Sequence, residues 1–126
     1  MPELKVGDKR VQVPATSNLL DALLSAGIAV PNSCRAGSCH ACLVRCLQGE
    51  PADAQPDALT AGQRQQGWRL ACQCRVVEDL CVQVFDPLRD GRAASIVGCD
   101  WLNPEVLRLR LQPERRLPYQ AGQHLV

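Results

Sequence analysis

Pro31-Asn32-Ser33-Cys34-Arg35-Ala36-Gly37-Ser38-Cys39-His40-Ala41-Cys42 is the segment around which the rest of the sequence is organised. It contains three cysteines, with four residues between the first two and two residues between the second and the third. A fourth cysteine, Cys72, follows after 29 further residues. Small residues occupy the middle of the segment, so its backbone can curl and bring three sulfur atoms to one place.

The cysteine spacing predicts a binuclear iron–sulfur centre. C-x4-C-x2-C with a distant fourth cysteine is the ligand spacing of plant-type [2Fe–2S] clusters. Two irons bridged by two sulfides need four soft thiolates, two for each iron. We therefore expect the metal ligands to be Cys34, Cys39, Cys42 and Cys72.

The residues between the first two cysteines are expected to lie against the cluster: Arg35, Ala36, Gly37 and Ser38. Small side chains there would let backbone N–H groups approach the sulfurs, and Gly37 can adopt a positive φ without penalty. Two interpretations of Arg35 stay open. It is either a partial counter-charge for an anionic cluster or a solvated surface residue.

The whole pattern P-x-S-C-R-x-G-x-C-x-x-C, followed by L-x-C-Q, resembles the plant-type [2Fe–2S] ferredoxin domain over residues 1–86. The resemblance implies an α+β fold of the β-grasp type and one-electron transfer at about −400 mV. It also implies that the fourth ligand is the cysteine before Gln73, which is Cys72. Cys74 is the alternative that spacing alone leaves open.

Hydrophobic periodicity and turn residues predict the elements of this domain. In chain order we expect a hairpin (4–6 and 10–13), a helix capped within 16–18 and closed by Gly27, a strand (42–48), a surface loop (51–58) and a short helix (60–66). An extended segment (68–71) should then lead to Cys72, and a closing strand should follow at 76–77 and 80–84, broken by a polar turn at 78–79.

A linker is expected at 87–94, and residues 95–126 form a second part. There we expect a strand at 95–99, a turn at 101–104, an alternating strand at 106–111 and a further strand starting within 119–126. L-x-L-x-L followed by Y-Q-A-G-Q resembles the opening of the flavin-binding barrel of ferredoxin–NADP reductase-like enzymes. The resemblance implies a truncated, incomplete antiparallel barrel. FAD and NAD(P)H would then bind only in a longer protein.

Charge and composition limit the classes of binding partner and the cellular compartment that we expect. The net charge is +1, so neither nucleic acid nor an acidic membrane is expected as a partner. Residues 1–86 hold 8 basic and 9 acidic side chains, a net charge of −1, which favours a domain tethered to its electron donor over a carrier steered by charge. The charged start is not a signal peptide and no apolar run is long enough to span a membrane. Eight cysteines without an export signal then indicate a cytoplasmic protein.

The function predicted is one-electron transfer, as the ferredoxin part of an NAD(P)H-dependent flavin and iron–sulfur reductase. A flavin reductase domain would be the donor, and an oxygenase or another redox protein the acceptor. Two alternatives stay open. One is a stand-alone ferredoxin, and the other is a non-redox zinc module that uses Cys39, Cys42, Cys72 and Cys74.

No catalytic residue is expected, because electron transfer makes no bond to a substrate. His40 lies in the cysteine segment but has no partner constellation, so we expect it to face solvent. The cysteines that are not needed as ligands are expected to be buried structural thiols: Cys46, Cys74, Cys81 and Cys99.

Overall fold

The computed structural model describes residues 1–122, which divide into a compact unit Met1–Phe85 and a second unit that begins at Asp86. The strands of the first unit are β1 (Glu3–Val6), β2 (Lys9–Gln12), β3 (Ser17–Asn18), β4 (Leu43–Gln48), β5 (Ala52–Asp53), β6 (Trp68–Leu70), β7 (Cys74–Val76) and β8 (Leu80–Val84). Its helices are α1 (Leu19–Ser25) and α2 (Ala61–Gln65), with 3-10 turns at Pro56–Ala58 and Ala71–Gln73.

A five-stranded mixed sheet in the order β2-β1-β8-β4-β6 forms the body of this unit, and β3-β7-β5 form a smaller sheet. The strand pairs β1–β2, β4–β8 and β4–β6 are antiparallel, whereas β1 and β8 are parallel. Leu4, Val44 and Val82 lie on the central strands and are at most 1% exposed. The predicted hairpin and the α+β fold of the β-grasp type are confirmed.

Helix α1 follows from local sequence signals. The Asn18 side chain caps it by accepting a hydrogen bond from the Asp21 N–H. Three leucines at helical spacing then turn to the core and are completely buried: Leu19, Leu20 and Leu23. Each contributes about 1.5–3 kcal/mol by leaving water. Gly27 at φ +75° closes the helix as predicted, and the N-terminal end of α1 lies near the Ala71–Gln73 turn.

The closing strand predicted at 76–77 and 80–84 is interrupted at 78–79 as expected, but its two parts belong to different sheets. β7 pairs with β3 and β5, whereas β8 pairs with β1 and β4. Val76 and Leu80 are both buried, and the exposed residues 77–79 carry the chain from one sheet to the other. The predicted surface loop at 51–58 contains β5 and a 3-10 turn, because β5 completes the smaller sheet.

In the second unit a one-turn helix, α3 (Pro87–Asp90), precedes the antiparallel strands β9 (Ala94–Asn103) and β10 (Val106–Pro113). The helix lies inside the predicted linker, and Asp86 caps it by accepting from the Leu88 N–H. The turn predicted at 101–104 is wrong, since residues 101–103 extend β9. Asn103 Oδ1 accepts from the N–H groups of Glu105 and Val106 and so places the reversal after Asn103.

The leucines of β10 are 40–49% exposed at positions 107, 109 and 111 within this two-stranded sheet. The further strand predicted within 119–126 is not seen at 119–122, and residues 123–126 lie outside the described residues. Among residues 1–122, no helix combines the length and the apolar character that crossing a membrane requires.

Candidate metal centre

Residues 31–42, here called the cluster loop, curl by means of three left-handed residues. Arg35, Gly37 and His40 have φ values of +53°, +82° and +58°. Such values are uncommon outside glycine, so the loop holds a specific, sharply bent backbone. Gly37 is buried, and a Cβ atom on it would lie 2.6 Å from Gln55 Oε1 and 3.2 Å from Gln73 Cγ. Of the small residues in the loop, Gly37 therefore lies where the loop packs most closely against its neighbours.

The bent backbone directs N–H groups at the first two cysteines. The Cys34 sulfur accepts from the backbone N–H groups of Ala36, at 3.2 Å, and of Cys39, at 3.3 Å. The Cys39 sulfur accepts from the Ala41 N–H at 3.4 Å. Donors of this kind stabilise a sulfur that carries negative charge, as the sulfur of a metal-bound thiolate does.

Strand pairing brings Cys42 to Cys72. Cys42 directly precedes β4, and the register of β4 with β6 places Leu43 opposite Leu70. The chain then bends into the Ala71–Gln73 turn, where the Cys72 N–H donates to the Cys42 sulfur at 3.5 Å. Cys72 thus lies in a 3-10 turn, rather than at the end of an extended segment as predicted. Its own sulfur accepts from Gln73 Nε2 at 3.4 Å.

The two ends of the cysteine group differ in electrostatic environment. The hydroxyl of Ser38, followed by the backbone N–H groups of the loop, lowers the pKa of the exposed Cys34 thiol to about 5. Burial raises the pKa of Cys42 to about 11. Cys34 is therefore a thiolate at neutral pH, whereas Cys42 keeps its proton until a metal displaces it.

Arg35 extends to helix α1. Its Nη1 atom lies 2.7 Å from Asp21 Oδ1, and both side chains are about half exposed, at 49% and 57%. The guanidinium is therefore a paired surface cation, which limits its contribution as a counter-charge. His40 is exposed, as predicted.

The other cysteines have no comparable donors. Among residues 1–122, no N–H group donates to the sulfur of Cys46, Cys74, Cys81 or Cys99. Cys74 is completely buried in β7, opposite Asp53, and burial raises the pKa of its thiol. Cys46 and Cys81 are half-buried rather than buried as predicted, and the prediction is wrong for Cys99, which is exposed in a two-stranded sheet.

These observations fit a [2Fe–2S] cluster at Cys34, Cys39, Cys42 and Cys72. Each of the four sulfurs has at least one N–H donor. Within the part of the chain that the structure describes, no three His, Cys, Asp or Glu side chains converge as ligands of a single metal ion would. A [2Fe–2S] cluster would take two of these four thiolates at each iron.

Three polar residues of this region were not singled out from the sequence as site residues: Asp21, Gln55 and Gln73. Asp21 contacts Arg35 and Gln55 lies beside Gly37, and both are distant in sequence from the cluster loop, so no local pattern marks them. Gln73 adjoins Cys72 and belongs to the recognised motif, but its contact with the sulfur depends on the fold of the turn.

Comparison with known proteins finds reductase components among the proteins that resemble this chain. It is 34% identical over 131 residues to the reductase subunit of an aromatic O-demethylase from an Amycolatopsis species, covering 97% of this chain and 39% of that protein. It is 34% identical over 122 residues to one component of the Na(+)-translocating NADH-quinone reductase of Chlamydia trachomatis, covering 90% of this chain and 28% of that protein.

A solved structure shows the same similarity. The ferredoxin reductase in carbazole 1,9a-dioxygenase matches with a TM-score of 0.59 and 27% identity, over 89% of this chain and 38% of that chain. This chain thus spans well under half the length of each of these proteins. Residues 4–77 match the 2Fe-2S iron-sulfur cluster binding domain, and the chain belongs to that family.

Proposed function

We propose that this chain transfers single electrons through a [2Fe–2S] cluster ligated by Cys34, Cys39, Cys42 and Cys72, as the ferredoxin part of a larger NAD(P)H-dependent reductase. The observation that carries the ligand assignment is the distribution of N–H donors. Among residues 1–122, these four cysteine sulfurs accept N–H hydrogen bonds and the other four do not.

The chain's own residues would hold the cluster and stabilise the charge on its thiolate ligands. When bound, the cluster supplies a site that accepts and releases one electron. The backbone N–H groups of Ala36, Cys39 and Ala41 stabilise the thiolate charge in both redox states. The Cys42 side of the site is buried against β4, whereas the Cys34 side is exposed, so electrons would enter or leave through the exposed cluster loop.

The reductase context rests on the relatives. The aromatic O-demethylase relative is a reductase subunit, and the Chlamydia trachomatis relative belongs to an NADH-quinone reductase. The ferredoxin reductase in carbazole 1,9a-dioxygenase has also been solved in an FAD apo form, which matches this chain with a TM-score of 0.59. We propose residues 1–86 as the ferredoxin domain, 87–94 as a linker and 95–126 as the start of a flavin-binding barrel. A flavin domain would be the donor, and an oxygenase or similar redox protein the acceptor. The free cysteines favour the cytoplasm.

Electron transfer can be tested by anaerobic mixing of the cluster-loaded chain with the reduced flavin domain of a bacterial oxygenase reductase. The chain should take up about one electron per [2Fe–2S] cluster and pass it to an oxidised cytochrome, whereas NADH without the flavin domain should leave it oxidised. A cluster that dithionite reduces but the flavin domain does not would contradict the reductase context. A metal centre that no reductant changes would contradict electron transfer itself.

A further inference from the structure

We propose that the side-chain amide of Gln73 sets the reduction potential of the cluster, by donating a hydrogen bond to the sulfur of Cys72 from a position fixed by the cluster loop. The inference rests on the proposed function, since it takes Cys72 as a ligand. It adds a positioning residue that the sequence motif marks but does not explain.

The geometry uses both protons of one amide group. Gln73 Nε2 lies 3.4 Å from the Cys72 sulfur and 3.1 Å from the backbone oxygen of Arg35. A primary amide has two N–H donors, so both can be satisfied at once. One bond reaches the fourth cysteine, which adjoins Gln73. The other reaches the loop that carries the first three cysteines, 38 residues away in sequence.

A closed ring of polar contacts holds this amide in place. Arg35, whose carbonyl oxygen receives one bond, uses its guanidinium to bind Asp21 at 2.7 Å. The Asp21 N–H donates to Asn18 Oδ1 at 3.2 Å, and Asn18 Nδ2 donates to the Cys72 carbonyl oxygen at 2.9 Å. The ring therefore starts and ends at Cys72, and it joins the cluster loop, the start of α1 and the Ala71–Gln73 turn.

Packing restricts the Gln73 side chain further. Its Cγ would lie 3.2 Å from a Cβ atom at residue 37, so the glycine there leaves room for the glutamine to reach across the loop. Gln73 is half-buried, which reduces competition from water for its N–H groups. The glutamine thus has a defined orientation toward the sulfur, unlike a freely rotating surface side chain.

A donor at a ligand sulfur affects the two redox states unequally. Reduction adds one negative charge, part of which lies on the cysteine sulfurs. An N–H donor stabilises that added charge and so raises the potential, and hydrogen bonds to the sulfurs are among the determinants of potential in iron–sulfur proteins. Removing the Gln73 donor should therefore lower the potential. A carboxylate in its place should lower it more, because it brings a negative charge.

The test compares the cluster-loaded wild-type chain with Gln73→Met, Gln73→Glu and a control, Gln48→Met. Gln48 is exposed at the end of β4 farthest from Cys42. Spectroelectrochemical titration should give potentials in the order wild type, Gln73→Met, Gln73→Glu, with wild type the highest and the control equal to it. Equal potentials for wild type and both Gln73 variants, at equal iron content, would overturn the proposal.

A measurement on the unmutated chain covers the case in which the variants lose the cluster. Glutamine side-chain amides labelled with heavy nitrogen should show a hyperfine coupling to the reduced cluster in pulsed EPR, and Gln73→Met should abolish it if that variant retains the cluster. No coupling in the wild type would overturn the proposal. A wild-type chain that assembles no [2Fe–2S] cluster would instead overturn the proposed function, so the two failures are distinguishable.

Discussion

Replacing the neighbouring cysteines Cys72 and Cys74 by serine, one at a time, should have opposite effects on iron content and on stability. In the structure the Cys72 sulfur is half-buried and receives an N–H bond, whereas the Cys74 sulfur is completely buried and receives none. Cys72→Ser should therefore lose most of its iron, because a hydroxyl is a poor substitute for a soft thiolate at iron. Cys74→Ser should keep close to the wild-type iron content.

The stability effects should be reversed. Cys74 is 0% exposed, and serine there would bury a more polar hydroxyl without an evident partner. Leaving such a group unsatisfied costs about 1–3 kcal/mol in the free energy of unfolding. Cys72 is partly exposed, so a hydroxyl at that position can reach water, and the cluster-free chain should lose less than about 1 kcal/mol.

The assay combines two readouts on the same preparations. Iron and acid-labile sulfide per chain are measured after anaerobic purification, and urea unfolding of the cluster-free proteins is followed by circular dichroism. Loss of iron from Cys74→Ser with retention in Cys72→Ser would refute the ligand assignment. Equal loss from both variants would refute it as well, because the structure gives the two sulfurs different environments.

Two further predictions concern the fold and the thiols. Gly49→Ala should destabilise the chain by more than about 1–2 kcal/mol, since Gly49 has φ +82° and its new Cβ would overlap the Asp79 carbonyl. Gly62→Ala, in open space within α2, should stabilise it by about 0.5–1 kcal/mol, and thermal unfolding of both variants would show whether the signs differ. In the cluster-free chain at pH 7, iodoacetamide should label Cys34 faster than Cys42, because their pKa values are about 5 and about 11. Peptide mapping should show the Cys34 rate falling as the pH drops through about 5, and equal rates at neutral pH would contradict the assigned environments.

Local signals in the sequence were sufficient for much of the fold. The cysteine spacing identifies the cluster loop, the polar run at 16–18 marks the start of α1, where the structure has Asn18 as the cap, and Thr60 marks the start of α2. Gly27 marks the end of α1. These features depend on residues within a few positions of one another, so a sequence pattern can reveal them.

The pairing of strands and side chains that are distant in sequence could not be predicted from local patterns. The separation of β7 and β8 into two sheets depends on which distant strands they meet, and nothing in 76–84 encodes that choice. The same holds for the Arg35–Asp21 ion pair and for the reach of Gln73 to the cluster loop. The sequence 101–104 favours a turn that begins at Trp101, but Asn103 ends β9 and its side chain accepts hydrogen bonds from the turn that follows it, so β9 is longer than the pattern indicates.

The most direct test of the central claim is the visible spectrum of the anaerobically purified chain before and after dithionite, together with its iron and sulfide content. We expect a red-brown protein with about two irons and two sulfides per chain, which bleaches on reduction and recovers its colour on reoxidation. A colourless chain that contains zinc, after expression with adequate iron, would contradict the claim that this protein carries electrons through a [2Fe–2S] cluster.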